Sequence, residues 1–183
     1  MDTASRTRDE WLTLRCQAGE AEAFEDLVSV MERPLIYYAT KLLRNDEAAL
    51  DVVQNVWVRV FGNIRRLKDP GSLRPWLYRV THGIAVDHIR VEVSRERVGD
   101  VHAELSQDNV EPGFSQDDAD AIHEALDQLE LKHREVLVLH FLEDFSVAEV
   151  AQVIGCPEGT IKSRIHHAKK AIREILMRGG YGT

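Results

Sequence analysis

No stretch of this 183-residue chain is apolar for long enough to cross a bilayer as a helix, so membrane insertion is not expected. Met1 to Arg15 is polar and charged and lacks the apolar centre of a secretory leader. Cysteine is scarce. Cys16 and Cys156 stand far apart and outside any CxxC pair, which excludes a disulfide framework and the usual zinc spacings. A cytoplasmic protein is the expectation. Also missing are a strand-like alternation, an internal repeat, a glycine-rich phosphate loop, an HExxH pair and a nucleophile elbow. With no catalytic constellation, cofactor motif or metal set, the chain does not read as an enzyme. The run Asp117-Asp118-Ala119-Asp120 is acidic enough to suggest a cation. It reads better as a solvated helix start, where carboxylates offset the helix dipole.

Basic residues are absent from a whole segment. Residues 98–130 hold ten acids and no lysine or arginine, whereas residues 64–97 carry a net charge of +4 and residues 159–183 a net +5. The overall charge of -8 therefore hides two basic islands separated by an acidic belt. Around residues 97–118 the belt is rich in Gly, Ser, Asn and Pro and poor in large apolar residues, a composition that opposes a packed element. The expected organisation is a domain over 1–96, an acidic linker over 97–118 and a second domain over 119–183.

Both domains read as helical. Phe24, Leu27, Val28 and Met31 keep the i, i+3, i+4, i+7 spacing of a helix face. Pro34 is expected to interrupt that helix or begin another. Asn45-Asp46 marks a helix start, and Val52, Val53, Val56, Trp57, Val60 and Phe61 form a broad face expected to be buried, ending at Gly62-Asn63. Lys68 to Ser72 is a turn, after which Pro75 suits the first turn of a helix carrying Trp76, Leu77, Val80, Ile84 and Ile89. The second domain predicts helices over 121–129, 134–142, 146–154 and 157–177. Ser146 and Glu149 have the spacing of a capping box, and Gly155 stands where a left-handed residue would end the third helix.

The last two of these helices carry the strongest signal. Ile161, Ile165, Ala168, Ile172 and Ile175 form one apolar stripe, while Lys162, His166, Lys169, Lys170 and Arg173 fall mostly on the opposite side. Ala151 is small where two helices must approach, Gly155 permits the turn, and Val150, Ile154, Ile161 and Ile165 supply a core between them. This is the pattern of a helix-turn-helix whose second helix presents a basic face to a DNA major groove.

The segment from Leu129 to Arg164, with its Gly-Cys-Pro-Glu-Gly-Thr-Ile-Lys-Ser-Arg ending, resembles the sigma-4 domain of bacterial sigma factors, most closely the small two-domain type called extracytoplasmic-function (ECF) sigma factors. The first half agrees. Asp51-Val-Val-Gln-Asn-Val-Trp57 resembles the sigma-2 helix that docks on polymerase, and Pro75 to Arg90 resembles the following helix, which faces the promoter -10 element. The resemblance implies an all-helical protein of two small domains, a sigma-2-like and a sigma-4-like one, joined by a flexible acidic linker. It further implies core RNA polymerase and promoter DNA as partners, with an anti-sigma factor as the common regulator.

The resemblance also assigns residues. Asp51, Gln54 and Asn55 match the polymerase-binding positions, with Asn55 standing where the family usually has an acid. The loop from Ile64 to Arg74, with Arg65, Arg66, Lys68 and Arg74, matches the pocket that captures a base flipped out of the -10 element. Basic side chains there suit the backbone of single-stranded DNA. Of the nearby aromatics, Trp76 and Tyr78 read first as core. Arg79, Gly83, Asp87 and Arg90 belong to the -10-facing helix; Arg79 and Arg90 share a face suited to phosphates, and Gly83 replaces a frequent Asn. Lys162, Ser163, Arg164, His166, His167, Lys169 and Lys170 match the surface that reads the -35 element, where Lys can reach guanine acceptors and Ser or His base edges and phosphates. The adjacent histidines make pH-dependent affinity an expectation. Adjacent helical residues diverge too far to share a zinc ion. Two other readings stand beside this one: a helix-turn-helix repressor or activator that works without polymerase, and an adaptor that uses its helix pairs only for protein contacts.

Overall fold

A computed structural model describes residues 3–96 and 116–179; most of the acidic belt lies outside the described residues. Among the described residues eight α-helices run in the order α1 (Thr3–Ala18), α2 (Ala21–Leu43), α3 (Asp46–Asn63), α4 (Leu73–Glu96), α5 (Gln116–Asp127), α6 (Leu131–Leu137), α7 (Val147–Ile154) and α8 (Glu158–Arg178), and no strand occurs. The chain divides into two compact units. Helices α1 to α4 build the first; α5, α6, α8 and residues 147–151 of α7 lie in the second.

In the first unit α2 is the central element. Its buried residues Ala23, Leu27, Met31, Leu35, Tyr38, Ala39 and Leu42 follow the helical period and meet α3 and α4. Pro34 does not break this helix, contrary to expectation. It sits inside α2 while the buried stripe continues past it on both sides. Tertiary burial over six turns outweighs one missing hydrogen bond. Arg44 closes α2 in the left-handed region, φ 55°, its N–H donating to the Thr40 carbonyl at 2.7 Å. Asn45 then caps α3 by accepting from the Ala48 N–H at 3.0 Å. Tyr78 of α4 is fully buried with its ring 5.2 Å from that of Tyr38, so it is a core residue, as the sequence favoured.

Helix α3 ends at Asn63, where Gly62-Asn63 was expected to end it, and the chain tightens into a 3₁₀ turn at Ile64–Arg66. One other expectation is corrected here. Phe61, counted above among buried residues, is 71% exposed and packs edge-on to Phe24 at 5.1 Å.

The second unit buries Leu126, Leu129, Val136, Leu139, Phe145, Val150, Ile161 and Ala168. The expected helix over 134–142 begins earlier, at Leu131, and its last part, Val138–Leu142, widens into a π turn. There the Glu143 N–H reaches the Val138 carbonyl at 3.0 Å. Asp144 takes a left-handed φ of 57° and Phe145 drops into the core. The capping box is present: the Glu149 N–H donates to Ser146 Oγ at 3.3 Å, and the Ser146 N–H to Glu149 Oε2 at 2.9 Å. Gly155 turns the chain into α8 with φ 76°.

Candidate nucleic-acid interface

Helix α8 begins at Glu158, directly after the Gly155 turn and Pro157, so its register is set locally. Ile161, Ile165 and Ala168 are buried, and this side holds the helix to the unit. The opposite side exposes Lys162, Ser163, His166, His167, Lys170 and Arg173. Five of the seven sequence-assigned residues of this helix therefore share one solvent-facing basic arc. The two histidine rings lie 5.5 Å apart, edge to face.

The other two turn aside. Arg164 is half-buried and donates to Glu135 Oε1 of α6 at 2.8 Å; the carboxylate side chain is only 7% exposed. Arg164 thus clamps α8 to α6. Lys169 is exposed, but its ammonium lies 4.7 Å from the ring centre of Phe141, at the end of the π turn. Replacing Arg164 with Ala would leave the Glu135 carboxylate buried without this donor. A loss of about 1–3 kcal/mol in urea unfolding of the second unit is expected; an unchanged midpoint would show that the pair is a bystander.

Beside the arc runs an open groove of about 540 Å³, lined by Lys132, His133, Ser163, Arg164, His167, Lys170, Ala171 and Glu174. Five of these are cations or histidines reaching in from two helices, which makes the groove a place for an anion. His133 was not singled out by the sequence; only the packing of α6 on α8 brings it here. Its pKa is lowered from the ordinary imidazole value, first by burial and then by Lys132, with His167 and Arg164 adding and Glu130 opposing.

In the first unit, Arg65, Arg66 and Lys68 are exposed on the segment joining α3 to α4, and Arg74 is half-buried at the start of α4. Arg79, Asp87 and Arg90 are exposed along α4, with Arg90 Nη1 3.3 Å from Asp87 Oδ1. A Cβ at Gly83 would meet nothing within 4 Å, so a side chain fits there. On α3, Asp51, Gln54 and Asn55 form one exposed face. Asn55 is turned back, its amide donating to the Asp51 carbonyl at 2.9 Å. Val58, 75% exposed, and Phe61 extend this face with apolar surface that the motif alone did not reveal. Among the described residues no three His, Cys, Asp or Glu side chains gather as a metal site, and no helix is long and apolar enough to cross a membrane.

Residues 27–95 match the family described as Sigma-70 region 2, and residues 119–172 match Sigma-70, region 4. The ECF RNA polymerase sigma factor SigC of Mycobacterium tuberculosis is 30% identical, over 93% of this chain and 94% of that one. The ECF RNA polymerase sigma factor SigW of Bacillus subtilis is 26% identical, over 86% of this chain and 91% of its own. Among solved structures, the sigma factor RpoE of Bartonella quintana, crystallised with the anti-sigma factor NepR, superposes with a TM-score of 0.77. It is 22% identical, over 86% of this chain and 98% of that one.

Proposed function

Since this chain belongs to the ECF RNA polymerase sigma factors of the sigma-70 family, we propose that its two units divide promoter recognition between them. As an alternative sigma factor it binds core RNA polymerase, directs it to -35/-10 promoters and assists melting. In our reading residues 119–183 take the -35 element. Lys162, Ser163, His166, His167 and Lys170 face the duplex, while Arg164 orients the helix that carries them. Residues 1–96 take the -10 element through Arg65, Arg66, Lys68 and Arg74 and through the α4 face with Arg79, Gly83, Asp87 and Arg90. Asp51, Gln54 and Asn55, extended by Val58 and Phe61, meet core polymerase. The acidic segment 97–118 repels DNA and suits a basic channel of the enzyme. Bond formation in RNA belongs to the polymerase, so this chain needs no catalytic residue of its own. The cytoplasm is the compartment where these partners meet. RpoE of Bartonella quintana is held by an anti-sigma factor, and a regulator of that kind is proposed here as well.

The observation that carries this reading is the basic arc of α8, exposed along its length while the other side of the same helix is core. The test is transcription from a library of random promoters by core polymerase with and without the protein. Transcripts that need the protein and share a -35/-10 pair support the reading. Duplex binding by the protein alone, with no such transcripts, would favour a repressor or activator.

The groove predicts a pH signature. A phosphate entering it would favour protonated His133, so -35 duplex binding should take up a proton and tighten as pH falls through the imidazole range. The free protein should show the reverse. Because the folded pKa of His133 lies below its unfolded value, its contribution to stability is full above the unfolded value and is lost as pH falls towards the folded one. His133→Gln should weaken both trends. Titration calorimetry in two buffers of different ionisation enthalpy measures the uptake, and zero uptake would rule out a phosphate beside His133.

A further inference from the structure

The joining segment between α3 and α4 is short of regular structure: two 3₁₀ turns, Ile64–Arg66 and Pro70–Ser72, separated by Leu67 to Asp69. Part of its order is internal. Asp69 accepts from the Gly71 N–H at 3.1 Å and from the Ser72 hydroxyl. These bonds hold its carboxyl below the usual range, the Ser72 bond first. The rest of its order comes from α1, a helix with no assigned role. Gln17 Nε2 donates to two carbonyls of the segment, Ile64 at 3.0 Å and Leu67 at 2.8 Å. Both amide hydrogens are thereby used across the first turn. Thr13 Oγ1, fully buried, donates to the Asp9 carbonyl of its own helix at 2.7 Å and lies 3.3 Å from the Pro70 carbonyl at the second turn.

The approach of the two elements is close at both ends. A Cβ on Gly71 would come within 2.7 Å of Glu10 Oε1 and 3.1 Å of Arg6 Nε; one on Gly19 would come within 2.8 Å of an Arg65 guanidinium nitrogen. Asp9 of α1 is also buried; burial pushes its carboxyl up, and Arg74 at the far end of the segment draws it back down. So α1 touches the segment at its beginning, middle and end, through polar groups directed at its backbone.

The geometry points to Gln17 and Thr13 as positioning residues that hold the 64–72 segment, and with it Arg65, Arg66 and Lys68, in one conformation before single-stranded DNA arrives. A pocket that must accept an unstacked base gains by being ordered in advance, because binding then carries less ordering entropy. This rests on the reading above that the segment meets the -10 element, and the experiment separates the two.

Gln17→Met keeps the volume and helix preference of Gln17 but removes its donor; Thr13→Val does the same for the hydroxyl. Each is assembled with core polymerase and measured on a single-stranded -10 oligonucleotide taken from the promoter that the library recovers. Amide exchange of residues 64–72 is followed in parallel. Expected for Gln17→Met are faster exchange at the Leu67 amide, which bonds the Ile64 carbonyl at 3.1 Å, and a roughly ten-fold weaker oligonucleotide affinity. Core binding and -35 duplex binding should stay at wild-type strength, a pattern that general loss of structure would not give. Thr13→Val should move both quantities in the same direction by less. Unchanged exchange in both variants overturns the proposal. So does faster exchange with unchanged affinity when Arg65→Ala/Arg66→Ala does weaken the oligonucleotide. If that arginine pair has no effect either, the assignment of the segment to the -10 element fails instead, and the positioning role falls with it.

Discussion

Replacing Lys162 and Lys170 together with alanine is expected to weaken binding to a -35 duplex by about ten- to a hundred-fold near physiological salt. The slope of log affinity against log salt should flatten by about 0.9 for each phosphate contact removed. Both side chains are exposed on the arc of α8 opposite the buried Ile161 and Ala168. Their loss therefore removes positive charge without touching the core. Lys169→Ala is the internal comparison. Its ammonium is placed over Phe141 rather than along the arc, so it should alter the slope less. Affinity measured at four or five salt concentrations decides the matter. A double variant with the wild-type slope would mean that the arc does not lie against DNA.

Ile161→Ala should do comparable damage from the other side of the same helix. Ile161 is fully buried and adjoins Lys162. Removing its outer carbons leaves a cavity, for which losses of about 2–5 kcal/mol are typical. Against the roughly 5–15 kcal/mol that holds an ordinary domain folded, that is a large share. The second unit should unfold at distinctly lower urea and lose the -35 element near its new melting temperature, although every DNA-facing side chain is intact. Binding of core polymerase, which we assign to Asp51 and Gln54, should survive, since these lie on α3 of the other unit. A midpoint shift below about 0.5 kcal/mol would show that α8 is held by something other than its isoleucine stripe.

What was legible in the residues was what neighbours in sequence determine. Ser146 and Glu149 lie three apart, so their capping box needs only the local helix to form. Gly155 at φ 76° follows from the need to turn sharply after α7. The isoleucine stripe of α8 has the helical period, and burial followed it from Ile161 to Ala168, with Ile172 and Ile175 half-buried. Helix α1 escaped notice for a reason just as physical. Its buried stripe is Asp9, Leu12, Thr13 and Cys16. The spacing is right, but two of the four are polar, and a search for apolar periodicity passes over them.

Distance along the chain marks the division. Composition, helix signals and the separation of charge were enough to determine an all-helical chain whose last helix has one basic side, because each depends on residues within a turn or two of one another. Only the tertiary structure decided that Arg164 turns inward to Glu135, 29 residues away, while Lys162 and Lys170 stay outside. It alone decided that Phe61 stays in solvent, that Pro34 is carried within α2, and that Gln17 reaches carbonyls 47 and 50 residues further on. Those outcomes depend on which helix faces pack together. A lone arginine, proline or glutamine carries no local sign of the neighbour that packing will bring.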